Sequence, residues 1–411
     1  MRLLIVLFVL TANLDPLLGV EKVRAIWRAD PATSIVIAWV GPAESGAQVY
    51  YGTEAAGGTA AAYPEHHPVD RSTDAKGMTT HFVRLEDLTP DTVYHLVIAP
   101  PTGTGPTYHF RTAPAEPRAF AFCAGGDSRN HRTARQAANR AVERLQPLFV
   151  AFAGDMTDKS RDDQWQDWFD DWELTTSSDG RLIPLVVARG NHERRNRTLV
   201  DLFDCPHPSI FYSLRFGGEL LQLISLNSEI SADGKQAAWL AETLQAADDC
   251  TWIIAQYHKP MRPHVEKKKE QHEQYRAWTP LFDQHQVDLV IECDSHCVKR
   301  TWPIRPSDGP GSDEGFIRDD ARGTVYIGEG CWGAPLRAAD DRKSWTRAAD
   351  AFNQINWILV APDGVRIATV PVDRTAEIPR IDPTATPAIP DDLPMWQPDS
   401  GAVISLAPRS R

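Results

Sequence analysis

The sequence predicts an α/β protein in which a small all-β part precedes a larger domain of alternating strands and helices. Residues 22–112 contain short strand-like runs between turn residues, whereas strand-like runs alternate with helical patterns over residues 118–373. The second pattern is typical of a layered α/β domain. A chain of 411 residues is also long for one hydrophobic core, so two domains are expected.

The composition is that of an ordinary globular protein with a net negative charge. Apolar residues make up 42% of the chain and charged residues 24%, and the formal net charge is −12. This charge would repel nucleic acid or an anionic membrane, so neither is expected as a partner. A small phosphorylated substrate is compatible with it, because bound cations would reverse the local field. The six cysteines fit an exported protein, and no disulfide is assigned.

Residues 1–19 are predicted to be a secretory signal peptide. The positive charge of Arg2 precedes an apolar run at residues 3–10, which is too short to span a bilayer. A buried first strand is the alternative, but the run lacks alternation. Cleavage is expected after Gly19, which would make the protein secreted or periplasmic. No later segment reaches membrane-spanning length.

The all-β part at residues 22–112 is predicted to be an immunoglobulin- or fibronectin-like sandwich. Residues 34–39 alternate, which places Ile35, Ile37 and Trp39 on one face. Residues 88–94 resemble the tyrosine corner of such sandwiches. Further strands are predicted at residues 48–51, 81–85, 93–98 and 108–112.

The α/β domain is predicted to begin after a stiff linker at residues 114–117, and the two parts are expected to behave as separate modules. Residues 379–411 are rich in proline and polar residues, which predicts an extended, poorly ordered tail. Helices are predicted at residues 133–145 and 236–246. Apolar strand-like runs lie at residues 119–124, 148–153, 183–188, 252–256 and 287–291, with late strands at 358–359 and 365–370.

Each of the five apolar runs is followed by a polar cluster. The clusters contain, in order, Asp127, Asp155, Asn191 with His192, His258, and Asp294 with His296. In an open α/β sheet, such groups gather beyond the carboxyl ends of the strands. Carboxylates, imidazoles and a carboxamide are ligands of divalent metals. A two-metal site also needs an anion that bridges both ions, and Asp155 can do so. The clusters therefore predict a two-metal phosphoester hydrolase.

Each of these residues has a structural alternative when it is taken alone. Asp127 and Asp155 could be helix N-caps, because a side-chain oxygen there accepts hydrogen bonds from free backbone amides. Asn191 could be a turn residue. His258 and His296 could be core histidines with satisfied hydrogen bonds. The ordered set favours the metal site.

The ordered motifs resemble those of the calcineurin-like metallophosphoesterases, specifically the purple acid phosphatase branch with its fibronectin type III-like N-terminal domain. The resemblance extends over about residues 22–372 and includes the Gly-Asn-His-Glu motif at residues 190–193. It implies a layered metallophosphoesterase sandwich of two β-sheets flanked by helices. It also implies a secreted, acid-phosphatase-like hydrolase that uses a dinuclear metal centre and a bridging hydroxide.

The resemblance also implies a cofactor and residue roles. The cofactor would be two divalent or trivalent ions, among iron, manganese, zinc, magnesium and calcium. His192 would stabilise the transition state or protonate the leaving alkoxide. The implied ligands are Asp127, Asp155 and His296 for metal one, and Asp155, Asn191, His258 and Asp294 for metal two.

Several positions depart from the family pattern. Asp158 stands where the purple enzymes have a metal-bound tyrosinate, and Arg129 stands where other members have a histidine ligand, so the fourth ligand of metal one is open between Asp158, His131 and water. Cys293 and Asp294 replace the glycine and first histidine of the last motif. A carboxylate there favours manganese, magnesium, calcium or iron over zinc. Arg129 is either a solvated residue near a helix start or a substrate-binding phosphate clamp.

These departures leave a second function open, namely a phosphate- or glycan-binding module on a catalytically decayed scaffold. Retention of the other predicted ligands favours the hydrolase. The charged run at residues 266–270 is expected to lie on the solvent-exposed surface. Substrate identity, the preference for monoesters or diesters, and the oligomeric state are left open.

Overall fold

A computed structural model of the chain describes residues 19–42 and 46–409. Residues 1–18, which carry nearly all of the predicted signal peptide, lie outside the described residues. Among the residues described, no helix combines the length and apolar character that a bilayer crossing requires.

The N-terminal part consists of short strands close to the predicted positions. Thr89 donates its backbone N–H to the Tyr94 hydroxyl at 2.9 Å, so the predicted tyrosine corner is present. Ile35, Ile37 and Trp39 are buried in one apolar cluster, as their alternation predicts. The strands are β1 Glu21–Ile26, β2 Ile35–Val40, β3 Gln48–Gly52, β4 Glu65–His67, β5 Arg71–Ala75, β6 Met78–Leu85, β7 Val93–Ala99 and β8 Thr107–Arg111.

The α/β domain has strands where the apolar runs predicted them. These strands are β9 Phe120–Gly125, β10 Val150–Phe152, β11 Leu185–Val187, β12 Tyr212–Phe216, β13 Leu221–Ser225, β14 Trp252–Gln256, β15 Leu289–Ile291, β16 Val298–Thr301, β17 Ile304–Pro306, β18 Phe316–Arg318, β19 Val325–Gly328, β20 Thr346–Asp350, β21 Gln354–Ala361, β22 Gly364–Pro371 and β23 Val403–Leu406. The helices are α1 Arg132–Leu145, α2 Asp162–Trp172, α3 Asn196–Phe203, α4 Lys235–Gln245 and α5 His272–Gln284.

Two sheets pack face to face in this domain. A ten-stranded sheet has the order β23-β22-β21-β9-β10-β11-β1-β2-β6-β5, and a seven-stranded sheet has the order β12-β13-β14-β15-β19-β16-β20. Apolar side chains from both sheets, such as Phe122 and Ile254, form one buried cluster between them. Helices α1, α2 and α3 cover the outer face of the first sheet, and α4 and α5 cover that of the second. The predicted layered sandwich is confirmed.

The N-terminal part shares the larger sheet, so the expectation of two separate modules is wrong. Strand β1 pairs in parallel with β11, with Ile26 opposite Leu185, and Trp27 N–H donates to the Leu185 carbonyl at 3.1 Å. The Trp27 ring also lies 5.8 Å from the ring of Phe149 and 5.5 Å from that of Phe216. The linker composition correctly marks a change of sequence pattern. The pairing of β1 with β11 and the packing of Trp27 nevertheless join the two parts.

The C-terminal tail is also ordered, against the expectation from its prolines. Strand β23 extends the larger sheet by pairing with β22. Leu393 is buried, and Trp396 N–H donates to the Thr369 carbonyl at 2.9 Å. The guanidinium of Arg300 lies 4.9 Å from the centre of the Trp396 ring. A few apolar side chains are enough to fix a segment that is polar on average.

Candidate metal centre

The loops that follow β9, β10, β11, β14 and β15 meet at one patch. Neighbouring strands in each set are parallel, so their carboxyl ends share an edge. Backbone hydrogen bonds tie the loops together: Asp127 N–H donates to the Gly154 carbonyl at 2.9 Å, and Cys293 N–H donates to the His258 carbonyl at 2.8 Å. Asp294 N–H donates to Asp127 Oδ2 at 2.7 Å. The structure thus brings the predicted clusters together, while their roles as ligands stay a prediction.

Two buried histidines point Nε2 at a carboxylate oxygen. His296 Nδ1 lies 2.8 Å from the Pro335 carbonyl, and His258 Nδ1 lies 2.9 Å from the Ala153 carbonyl. A carbonyl only accepts hydrogen bonds, so Nδ1 carries a proton in each ring, and Nε2 presents a lone pair when the ring is neutral. These lone pairs face Asp127 Oδ1 at 3.1 Å and Asp155 Oδ1 at 3.3 Å. In neutral rings these nitrogens are acceptors that face acceptor oxygens, and such pairs repel each other unless a proton or a metal ion lies between them.

The patch fits a bound cation in two further respects. Asp155, His258 and Asp294 offer ligand atoms that all lie within 4.8 Å of one another, and so do Asp127, His258 and Cys293. Asp127 Oδ1, Asp155 Oδ2 and His258 Nε2 are buried without a hydrogen-bond partner in the described part of the chain. Such groups are costly to bury unless something satisfies them, which a metal ion would do.

The electrostatics of the patch also attract positive charge. Burial opposes ionisation of Asp127, but the charges of His258 and His296 lower the pKa of this carboxyl below its usual range. Burial likewise opposes protonation of His258, yet Asp155 and Asp127 raise the pKa of its ring well above the usual value. A proton or a metal cation would relieve the same excess of negative charge.

The N-cap interpretation of Asp127 and Asp155 is wrong. Helix α1 begins after His131 and helix α2 after Arg161, so both aspartates lie several residues before a helix. Left-handed backbone at non-glycine residues is uncommon and often marks functional sites. Four predicted ligands have it, with φ of 57° at Asp127, 57° at Asp155, 67° at Asp294 and 61° at His296.

His192 lies at the rim of the patch in a fixed orientation. Its backbone N–H donates to Asp155 Oδ1 at 2.8 Å, and its Nδ1 contacts the backbone carbonyl of Asp158. Nε2 is thereby turned towards the patch, 3.6 Å from Asp155 Oδ2. The side chain is 24% exposed, so it can reach a substrate. Asn191 precedes it and is half-buried.

Glu193 supports two of the loops, which the sequence interpretation missed. Its carboxylate accepts backbone N–H groups from Asp155 at 3.1 Å, Met156 at 2.8 Å and Gly190 at 2.7 Å. The side chain is fully buried, and its burial and the charge of Asp155 raise the pKa of Glu193 to about 7. The only sequence signal for this role is the position of Glu193 directly after His192. Its backbone partners are determined by the tertiary structure.

Arg129 and Asp158, which both depart from the family pattern, form an ion pair with each other. Their side chains are 14% and 18% exposed, so the solvated alternative for Arg129 is wrong. Burial opposes ionisation of Asp158, but Arg129 and then His192 lower its pKa below the usual range. His131, the other candidate for the fourth ligand of metal one, is exposed at the start of α1.

Lys268 reaches the patch, although the charged run that contains it was expected on the surface. Its Nζ lies 2.6 Å from Asp294 Oδ1, and its side chain is only 21% exposed. The neighbouring Lys267 and Lys269 are exposed, as predicted. The sequence does not distinguish these three lysines, because only the loop conformation determines which of them points towards the patch.

The matching protein families cover both parts of the chain. The family described as the purple acid phosphatase N-terminal domain matches residues 20–112, and the calcineurin-like phosphoesterase family matches residues 109–298. The chain is thus similar to the calcineurin-like phosphoesterases over residues 109–298. The predicted resemblance is confirmed, including the purple acid phosphatase-type N-terminal domain.

Curated sequences and solved structures are also similar to this chain. Two uncharacterized proteins of Mycobacterium tuberculosis are each 28% identical to it, in alignments that cover 64% of this chain and 61% of theirs. The chain therefore spans about three fifths of the length of these curated relatives. A purple acid phosphatase from yellow lupin (Lupinus luteus) seeds matches with a TM-score of 0.69 at 14% identity, over 89% of this chain and 74% of that one. PhoD matches with a TM-score of 0.63 at 11% identity, over 84% and 85%.

Proposed function

We propose that this phosphoesterase is a metal-dependent hydrolase of small phosphate esters that acts outside the cytoplasm. One observation carries the proposal: His296 and His258 direct Nε2 lone pairs at Asp127 and Asp155 across 3.1 and 3.3 Å. Facing acceptors that are buried repel each other unless a proton or a metal cation lies between them. The extracytoplasmic location is supported by the signal-like pattern at residues 1–19.

The proposed centre would hold two ions at the carboxyl ends of strands from both sheets. When bound, the ions would neutralise charge that develops at phosphorus and activate a water molecule as the nucleophile. Asp155 is proposed as a ligand of both ions, because a carboxylate offers two oxygens. The proposed ligands are Asp127, Asp155 and His296 for one ion, and Asp155, Asn191, His258 and Asp294 for the other.

His192 is proposed as the general acid that protonates the leaving alkoxide. The Asp158 carbonyl holds Nδ1, which leaves Nε2 free to carry the transferred proton. Arg129 is proposed to bind the substrate phosphate, because guanidinium matches phosphate geometry and can share its ion pair with Asp158. Arg129 and Lys268 thus supply positive charge beside an otherwise anionic patch.

Turnover of p-nitrophenyl phosphate by metal-stripped protein, with and without added Mn²⁺, tests the proposal. We expect activity only with the metal. The His192→Ala variant should lose roughly 10²–10⁴-fold in turnover, the usual contribution of general acid–base catalysis, and should keep its metal content. His66→Ala, at an exposed position on β4, is the matched control and should behave as wild type. Metal-independent turnover, or loss of metal from His192→Ala, would contradict the assignment.

A phosphate-binding module without catalysis is the second candidate, and the contact of Lys268 with Asp294 favours it. An ammonium group at this carboxylate could stand in for the charge of one ion. Calorimetry with inorganic phosphate separates the two functions. Phosphate binding without turnover of monoesters or diesters, in protein loaded with Mn²⁺, would establish the binding module.

A further inference from the structure

We propose that the thiol of Cys293 is an additional metal ligand of this centre, an inference that rests on the metal centre proposed above. None of the ligand roles implied by the family resemblance uses this residue. It is fully buried, lies two residues after the end of β15 and directly precedes Asp294.

The position of the sulfur carries the inference. Cys293 Sγ lies within 4.8 Å of a carboxylate oxygen of Asp127 and of a ring nitrogen of His258. A cation in contact with all three atoms therefore needs no large movement of the chain. Among the residues that the structure describes, neither His258 Nε2 nor Asp127 Oδ1 has a hydrogen-bond partner, and both are fully buried, so two of the three prospective ligand atoms are unsatisfied.

The surrounding backbone makes room for the sulfur and fixes it. A Cβ atom on Gly126 would lie 2.7 Å from Cys293 Sγ, so any side chain there would displace the thiol. Cys293 N–H donates to the carbonyl of His258, and Ser295 N–H donates to the carbonyl of Cys293, each at 2.8 Å. The thiol thus shares a rigid turn with two of the proposed ligands, which limits the distance between them.

A thiolate would change the metal preference of the site. The carboxylate of Asp294 favours hard ions, whereas thiolate sulfur favours softer ones such as zinc, cobalt or cadmium. Binding releases the thiol proton, since thiolate is the form that ligates metals. One soft ligand among carboxylates and imidazoles would bring zinc and cobalt back into competition with manganese.

Cobalt spectroscopy tests the proposal without relying on activity. Metal-stripped full-length protein is titrated with Co²⁺ and its absorption is recorded. We expect ligand-field bands in the visible and a thiolate-to-cobalt charge-transfer band in the near ultraviolet. In Cys293→Ala the charge-transfer band should disappear while the ligand-field bands remain. Cys250→Ser, at a buried cysteine in the apolar cluster behind α4, is the matched control and should keep both.

Cys293→Ser covers the case in which the alanine variant does not fold, because it preserves the size of the side chain. It should bind Co²⁺ without the charge-transfer band. Ligand-field bands in wild type without a charge-transfer band, or a charge-transfer band that persists in both variants, would overturn the role of Cys293 and leave the hydrolase proposal intact. Protein that binds no Co²⁺ and hydrolyses no ester with any metal would overturn both.

Discussion

Replacement of Lys268 by methionine should tighten the binding of one metal ion. Lys268 places a positive charge beside Asp294, a proposed ligand of metal two, so the ion must bind against this charge and in competition with it. Methionine keeps the length and the apolar stem of the side chain and removes the ammonium group. The expected effect is specific to the inward-facing lysine of the run at residues 266–270.

The size of the effect follows from one distance. Lys268 Nζ lies 2.6 Å from Asp294 Oδ1, and an ion sits about 2.1 Å from a carboxylate oxygen, so the two positive charges would be at most about 4.7 Å apart. Even with the dielectric constant of water, Coulomb's law gives about 1.8 kcal/mol of repulsion between a single and a double charge at this distance. That energy corresponds to about twentyfold in affinity. Rotation of the partly exposed lysine away from the ion would reduce the gain towards about tenfold, and added salt would reduce it further.

Isothermal titration of metal-stripped protein with Mn²⁺ at low ionic strength measures the change. Lys267→Met is the matched control, because it removes the same charge from the same run at an exposed position. It should leave the affinity nearly unchanged. If Lys268→Met binds Mn²⁺ no more tightly than Lys267→Met, then Asp294 does not ligate the ion or Lys268 does not oppose it, and the reasoning fails.

Two further predictions concern packing and support of the site. Leu393→Ala should lower the free energy of unfolding by about 2–4 kcal/mol in urea denaturation, because it empties a buried position, whereas a disordered tail predicts no change. Leu336→Ala, at a leucine that is 44% exposed, is its control. Glu193→Gln should weaken Mn²⁺ binding and destabilise the fold by about 1–3 kcal/mol, because an amide cannot accept all three backbone donors. Glu65→Gln, at an exposed position, is the control and should change neither the Mn²⁺ affinity nor the urea midpoint. The same result for Glu193→Gln would contradict its supporting role.

The elements of the fold were predictable because they have local signals. Alternation at Ile35, Ile37 and Trp39 reports one buried face of a strand, and a polar residue directly after an apolar run reports the end of a strand. The order of the five clusters added the identity of the family. The carboxyl ends of parallel strands then bring the clusters together, whatever the connecting segments contain.

The partners of charged side chains were not predictable, because they are set by tertiary structure. Lys268 has the same local sequence environment as Lys267, yet only one of the two turns towards Asp294. Arg129 and Asp158 were each treated as a separate departure from the family pattern, although together they form one ion pair. Average composition failed to predict the order of the tail in the same way, because a few buried apolar side chains such as Leu393 outweigh many polar neighbours.

The continuous ten-stranded sheet has a practical consequence for work with fragments of this protein. A fragment that starts at the linker would lack β1, which leaves backbone groups of β11 unpaired at a new sheet edge. It would also uncover the rings of Phe149 and Phe216 where Trp27 packs. An open edge beside exposed aromatic rings is a template for self-association. Expression of the phosphoesterase domain alone should therefore give aggregated material, and a fusion partner placed at the linker should disrupt folding.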